Sequence, residues 1–197
     1  NNTGQTVNGT TGTAGADMNL EQAWDITTGS SNVTVAIIDD GFQLAHPDLA
    51  ANVDTLNDKC FHSNPDNETE TLSSQTANFT EEETHGTTVA GCVGAVSNTV
   101  GVVGTAWNVN MLPIRFDETV AATVAAYEYA ASLNVDIINA SYGSPVFSLA
   151  HKDAIDMLQE EGILVVVAAG NYDISNDIVT DYPSGFANPN IIAVAAS

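Results

Sequence analysis

Basic residues are nearly missing from this chain. Three Lys or Arg stand against twenty-five Asp or Glu, a formal net charge of −22 over 197 residues. Nucleic acid and anionic membrane surfaces are thereby excluded as natural partners, because each repels so acidic a surface. The excess suits a secreted protein in salty or calcium-bearing surroundings. Long apolar runs are missing as well: no window of 18 apolar residues occurs, so no membrane-spanning helix is expected. Residues 1–16 are rich in Asn, Gly and Thr, with neither a basic start nor an apolar core, so no signal peptide is read there. The chain therefore reads as a mature or excised piece, with ends that look cut; it stops at Ser197, just after the strand-like Ile191-Ile192-Ala193-Val194-Ala195. No Gly-x-Gly-x-x-Gly follows the first strand pattern, which argues against a dinucleotide site. Cysteine is scarce. Cys60 and Cys92 fit one disulfide between the polar loop after residue 54 and the helix after His85, or else a buried thiol at Cys92 and an unrelated exposed Cys60. Neither has a second ligand at zinc-finger spacing.

What is present is enough apolar residue, 44%, to bury a core in one domain or most of one. Strand and helix patterns alternate along the chain. Helices are expected over Leu20–Ile26, with Asp17 as cap, and over His85–Val96, Glu118–Leu133 and Phe147–Glu161. Strands are expected over Val33–Asp39, Val109–Phe116, Val135–Ala140, Ile163–Ala169 and Ile191–Ala195. Val/Ile-rich strands alternating with helices predict an α/β fold: a doubly wound, mostly parallel sheet with helices on both faces. Residues 1–16 read as an extended polar lead and 55–84 as a long acidic surface loop.

In such sheets, sites gather at the carboxyl ends of the strands. Val35-Ala36-Ile37-Ile38 ends on Asp39-Asp40-Gly41, and His85 opens a helix in the run His85-Gly86-Thr87-Thr88-Val89-Ala90-Gly91. Ser141 follows one strand, and Asn171 follows Ala168-Ala169-Gly170 after another. A carboxylate, an imidazole and a side-chain amide on one rim are three parts of an acyl-transfer site. Strand alternation sends Asp39 and Asp40 to opposite faces, so only one of them is expected to meet His85. His46 reads as a turn residue before Pro47, and His62 and His151 as surface residues.

These segments, with His46-Pro47-Asp48-Leu49 and Ile137-Ile138-Asn139-Ala140-Ser141-Tyr142-Gly143, occur in the order found in subtilisin-like serine proteases. The chain resembles that family over nearly its whole length, and the Asp39-Asp40-Gly41 form is similar to the kexin-type branch. The resemblance implies that the chain is the larger N-terminal part of a single catalytic domain, incomplete at its C-terminal side. It implies Asp39 as the partner of His85, His85 as general base and acid, and Asn171 as oxyanion donor. It also implies peptide contacts from Ser141, Tyr142 and Gly143, and a pocket wall from Ala168, Ala169 and Gly170. Asp181 falls at the base of that pocket, where a carboxylate favours Arg or Lys; a solvent-facing Asp181 beside an apolar pocket is the other reading. A Ca2+ loop is implied, with carbonyls of Val96, Val100 and Val102, the Asn98 amide oxygen and the Asp48 carboxylate; the other reading is an ordinary Asn-containing turn. No counterpart of the family's further calcium ligand near the amino terminus precedes Asp17, and the tract Asn64–Glu68 reads as solvated loop. One part is missing: the family's nucleophile lies in a Gly-Thr-Ser segment, and no such tripeptide occurs in residues 1–197. The expectation is a secreted endopeptidase acting on peptides or proteins, its serine on a C-terminal segment or companion chain, and this chain inactive alone. The alternative is a non-catalytic, calcium-binding extracellular module on the same fold.

Overall fold

The computed structural model describes residues 4–7, 9–61, 84–171 and 175–195. Strands are β1 (Thr6–Val7), β2 (Thr10–Thr11), β3 (Thr34–Asp39), β4 (Lys59–Phe61), β5 (Asn110–Phe116), β6 (Ile137–Ala140), β7 (Leu164–Ala168) and β8 (Ile191–Val194). Helices are α1 (Leu20–Trp24), α2 (His85–Gly94), α3 (Val120–Ser132) and α4 (Leu149–Glu160). Six strands form one sheet in the order β4-β5-β3-β6-β7-β8, and every pairing is parallel. The expected α/β architecture is the observed one.

Alternation along β3 explains the layers. Ala36 and Ile38 point into a core with Leu112, Ile114, Ile138 and Val165, covered by Tyr127 of α3 and by Ile155 and Leu158 of α4. Val35 and Ile37 point the other way, joining Phe42, Leu49, Met111 and Ala90 of α2. A strand buried on both faces reads as a continuous apolar run, and Val35 to Ile38 are all apolar and buried. Ala122, Ala126 and Ala130 of α3, one helical turn apart and at most 7% exposed, present the small side chains that let α3 lie close to the sheet.

Several expectations are corrected. Within residues 55–84, Lys59–Phe61 is a strand paired with Ile114–Phe116 of β5; residues 62–83, including His62 and Asn64–Glu68, lie outside the described residues. The polar lead is not simply extended, because β1 and β2 pair antiparallel. Asp17 does not cap α1: its Oδ1 accepts from the Asn19 N–H at 2.8 Å, a turn just ahead of the helix. Helix α3 starts later than expected, at Val120, because the Thr119 side chain accepts from the Ala122 N–H; α4 likewise starts after Ser148, which accepts from the His151 N–H. No disulfide joins Cys60 to Cys92. Cys60 is buried in β4 on the far side of β5, whereas Cys92 is exposed on α2. His151 is not a surface residue; it is 8% exposed, between Tyr127 and Phe186. His46 sits in its expected turn, its Nδ1 accepting from the Asp48 N–H.

Candidate active site

Parallel register aligns Ile38, Ala140 and Val167 across three adjacent strands. The residues that follow them, Asp39, Ser141 and Ala168, thus emerge together at one carboxyl edge. Asp39 ends β3 at 4% exposure. Its Oδ1 accepts from the Asp40 N–H at 2.9 Å and lies 2.7 Å from His85 Nδ1. His85 is the first residue of α2, and its side chain remains 58% exposed although Nδ1 is held, which leaves Nε2 for a further partner. Gly86 makes the approach of α2 to β3 possible: a Cβ there would lie 2.5 Å from the Gly41 carbonyl oxygen and 2.9 Å from Asp39 Cβ.

The electrostatics suit proton transfer. The hydrogen bond to Asp39 raises the His85 pKa above its ordinary value, against the opposing effect of partial burial. Burial pushes the Asp39 carboxyl up, against the pull of His85 and the Asp40 N–H. The contact favours imidazolium once a proton arrives at Nε2, which is what a general base needs of its support.

Asp40 corrects the alternation argument. It stands past the strand end, and both acidic residues reach His85, by different atoms. Asp39 meets the ring, while Asp40 Oδ1 accepts from the Gly86 N–H at 2.7 Å and Oδ2 from the His85 N–H at 3.3 Å. Ligand-type atoms of Asp39, Asp40 and His85 lie within 4.8 Å of one another; these hydrogen bonds account for the closeness without an ion.

Beyond β6 and β7, the segment after Ser141 bridges to the segment around Tyr182. Ser141 Oγ donates to Asn139 Oδ1 at 3.0 Å, and Tyr142 donates to Tyr127 Oη at 2.9 Å. Ser144 and Tyr182 exchange backbone hydrogen bonds of 2.9 and 2.8 Å, which carries Asp181 in beneath Gly143. The Asp181 carboxylate is 5% exposed, and neither oxygen has a hydrogen-bond partner among the described residues. A Cβ on Gly143 would collide with Asp181 Oδ2, and one on Gly170 would come within 3.3 Å of it. Gly143 and Gly170 therefore pack against the buried Asp181 carboxylate, and the solvent-facing reading of Asp181 does not hold. Ala168 and Ala169 are half-buried on the β7 side, and Asn171 is exposed just past Gly170, its amide making no hydrogen bond among the described residues.

The residues proposed for calcium also converge. Asp48, 1% exposed, accepts at Oδ1 from Asn98 Nδ2 (3.1 Å) and at Oδ2 from the Val102 N–H (2.9 Å), and these bonds lower its pKa. The carbonyls of Val96, Val100 and Val102 accept no hydrogen bond among the described residues. Asn98 Oδ1 accepts from the Val100 N–H at 2.8 Å and keeps a second lone pair. One buried carboxylate with unclaimed carbonyls is a hard-oxygen set that fits Ca2+.

Comparison with known proteins decides the lineage: residues 30–197 match the subtilase family. The chain belongs to the subtilase family. Among its relatives, this subtilase is 33% identical over 172 residues to Subtilisin E of Bacillus subtilis (strain 168), covering 84% of this chain and 41% of that protein. It is 37% identical over 172 residues to Subtilisin DY of Bacillus licheniformis, covering 84% of this chain and 57% of that protein. It is 32% identical over 180 residues to Subtilisin-like protease 2 of Plasmodium falciparum, covering 85% of this chain and 13% of that protein. The chain thus spans between 13% and 57% of the length of these relatives. No helix among its described residues is long and apolar enough to cross a membrane.

Two hydrogen-bonded features, one at the Asp–His pair and one in the core behind Tyr142, were not foreseen from sequence. The Asp40 bonds to α2 had no sequence signal, since Thr84 before the helix is itself a favoured cap residue and only the structure shows that it makes no cap. The buried chain from His151 Nε2 to Tyr127 Oη (3.4 Å) and on to Tyr142 has none, because its members lie on different elements.

Proposed function

We propose that this subtilase chain is the part of a secreted serine endopeptidase that supplies the Asp–His pair, the oxyanion donor and much of the substrate cleft. The observation that carries the reading is the 2.7 Å contact between the half-open His85 ring and the buried Asp39 carboxylate. Asp39 holds Nδ1 protonated, so that Nε2 takes the proton of a serine hydroxyl as it attacks the peptide carbonyl. The same proton then passes from Nε2 to the leaving amine, and water repeats the cycle on the acyl-enzyme. Asn171, with its amide uncommitted, donates to the oxyanion. The edges Ser141–Gly143 and Ala168–Gly170 pair with an extended peptide by β-augmentation. Asp181 accepts a basic side chain at the cleft base, so the substrate class is a peptide with Arg or Lys preceding the scissile bond. Asp48, Asn98 and the carbonyls of Val96, Val100 and Val102 hold a Ca2+ ion that fixes the loop after α2. The serine comes from a C-terminal segment or a companion chain.

Purified residues 1–197 are expected to show no turnover of a general peptide substrate, and the complete protease to turn over and to lose that turnover on His85→Ala. Turnover by the isolated chain that His85→Ala abolishes would place the nucleophile within it. A complete protein inactive on all peptides would favour the calcium-binding module.

A further inference from the structure

Helix α2 carries the histidine yet lacks a cap of its own. Thr84, the residue before it, makes no side-chain hydrogen bond to the helix, and no acidic residue stands in the first turn. The first N–H groups of a helix have no partner within it, and they form its positive end. Here the first two are taken from outside, by the carboxylate of Asp40 at 3.3 and 2.7 Å. Asp40 is anchored in turn, because Arg115 Nε donates to its backbone carbonyl at 3.1 Å. Its neighbour Asp39 is the ring's partner, so a two-residue step along one strand end grips the histidine twice, by main chain and by side chain.

From this geometry we infer that Asp40 is a positioning residue for catalysis: it caps α2 from β3, fixes the His85 backbone against Asp39, and favours the imidazolium by its charge. The charged groups around His85 are consistent with the last point. Asp39, Asp40 and Glu118 each raise its proton affinity, Asp39 most strongly. Arg115 is the basic residue that bonds Asp40, through its backbone carbonyl. The inference rests on the protease reading only for its catalytic consequence; the effect on His85 is a property of the chain itself.

The test is an NMR titration of the four histidine rings in the full chain, with the His85 signal assigned by its loss in His85→Ala. Asp40→Asn keeps an acceptor and removes the charge. It is expected to lower the His85 midpoint by about half a pH unit while the other histidine signals hold their positions. A midpoint unmoved within about 0.1 unit, which is below that effect, overturns the inference. If Asp40→Asn does not fold, Asp40→Ser, which keeps a short acceptor without charge, is judged by the same criterion. In the complete protease, Asp40→Asn is expected to lower kcat with KM unchanged and to move the acidic limb of the pH profile downward. A raised KM with kcat unchanged would make Asp40 a substrate contact instead.

Discussion

Replacing Asp181 by Asn tests the assignment of substrate class most directly. Asp181 is 5% exposed and neither carboxylate oxygen has a hydrogen-bond partner among the described residues, so on the proposed reading a basic substrate side chain supplies its counter-charge. A buried anion without a partner is costly, and a guanidinium placed against it relieves that cost. A hydrogen bond to a charged group contributes about 1.5–3 kcal/mol, and each 1.4 kcal/mol is a tenfold change, so the charge is worth roughly ten- to a hundredfold in selectivity. The assay compares kcat/KM of the complete protease for peptides with Arg and with Phe before the scissile bond. The native enzyme is expected to prefer Arg, and Asp181→Asn to lose one to two orders of magnitude of that preference. The pH dependence has a definite sign. Burial raises the Asp181 pKa, and only the ionised form attracts Arg. The preference therefore declines on acidification, beginning above the ordinary carboxylate range. An Arg-to-Phe ratio that Asp181→Asn leaves within about twofold would refute the reasoning.

Other outcomes follow from the loop and the core. Calcium at a hundred times its dissociation constant is expected to stabilise the chain by about 2.7 kcal/mol, with the effect lost in Asp48→Asn; a melting temperature unmoved by EDTA would remove the ion from this loop. Burial lowers the His151 pKa from 6.5 to about 4, so the unfolded chain takes up a proton between those values that the folded chain refuses. Stability is accordingly expected to fall as pH drops from 6.5 toward 4, and His151→Gln to flatten that decline; equal slopes in urea denaturation would contradict it.

The sheet was readable from sequence because β3 and β7 announce themselves as Val/Ile-rich runs and β5 carries a nearly continuous buried apolar stretch, Met111 to Ile114. The short pieces were not. Lys59–Phe61 has three residues and no period, and it becomes a strand only because β5 offers an edge. The helix starts depended on Thr119 and Ser148, whose hydroxyls act as caps only in the right backbone conformation. Within the site, Asp39 and His85 were identifiable because each sits at an element end. The second carboxylate at His85 was not, since alternation holds inside a strand and Asp40 lies just beyond one. His151 looked like a polar helix residue, and its burial is set by where α3 and the loop carrying Phe186 come to rest.

The strand order also bears on how the chain acquires its shape. Thr34 at the start of β3 bonds through its N–H to Asp136, 102 residues away, and through its hydroxyl to Asn110, 76 residues away. Neighbours in the sheet are thus distant along the chain, and long loops must close before β3 gains either partner. Proteins dominated by such non-local pairing fold slowly. The rim that holds Asp39, Ser141 and Ala168 exists only after three separate strands have docked in register. A half-folded chain would therefore display strand edges without the rim, and the juxtaposition of Asp39, Ser141 and Ala168 would form as a late and cooperative event.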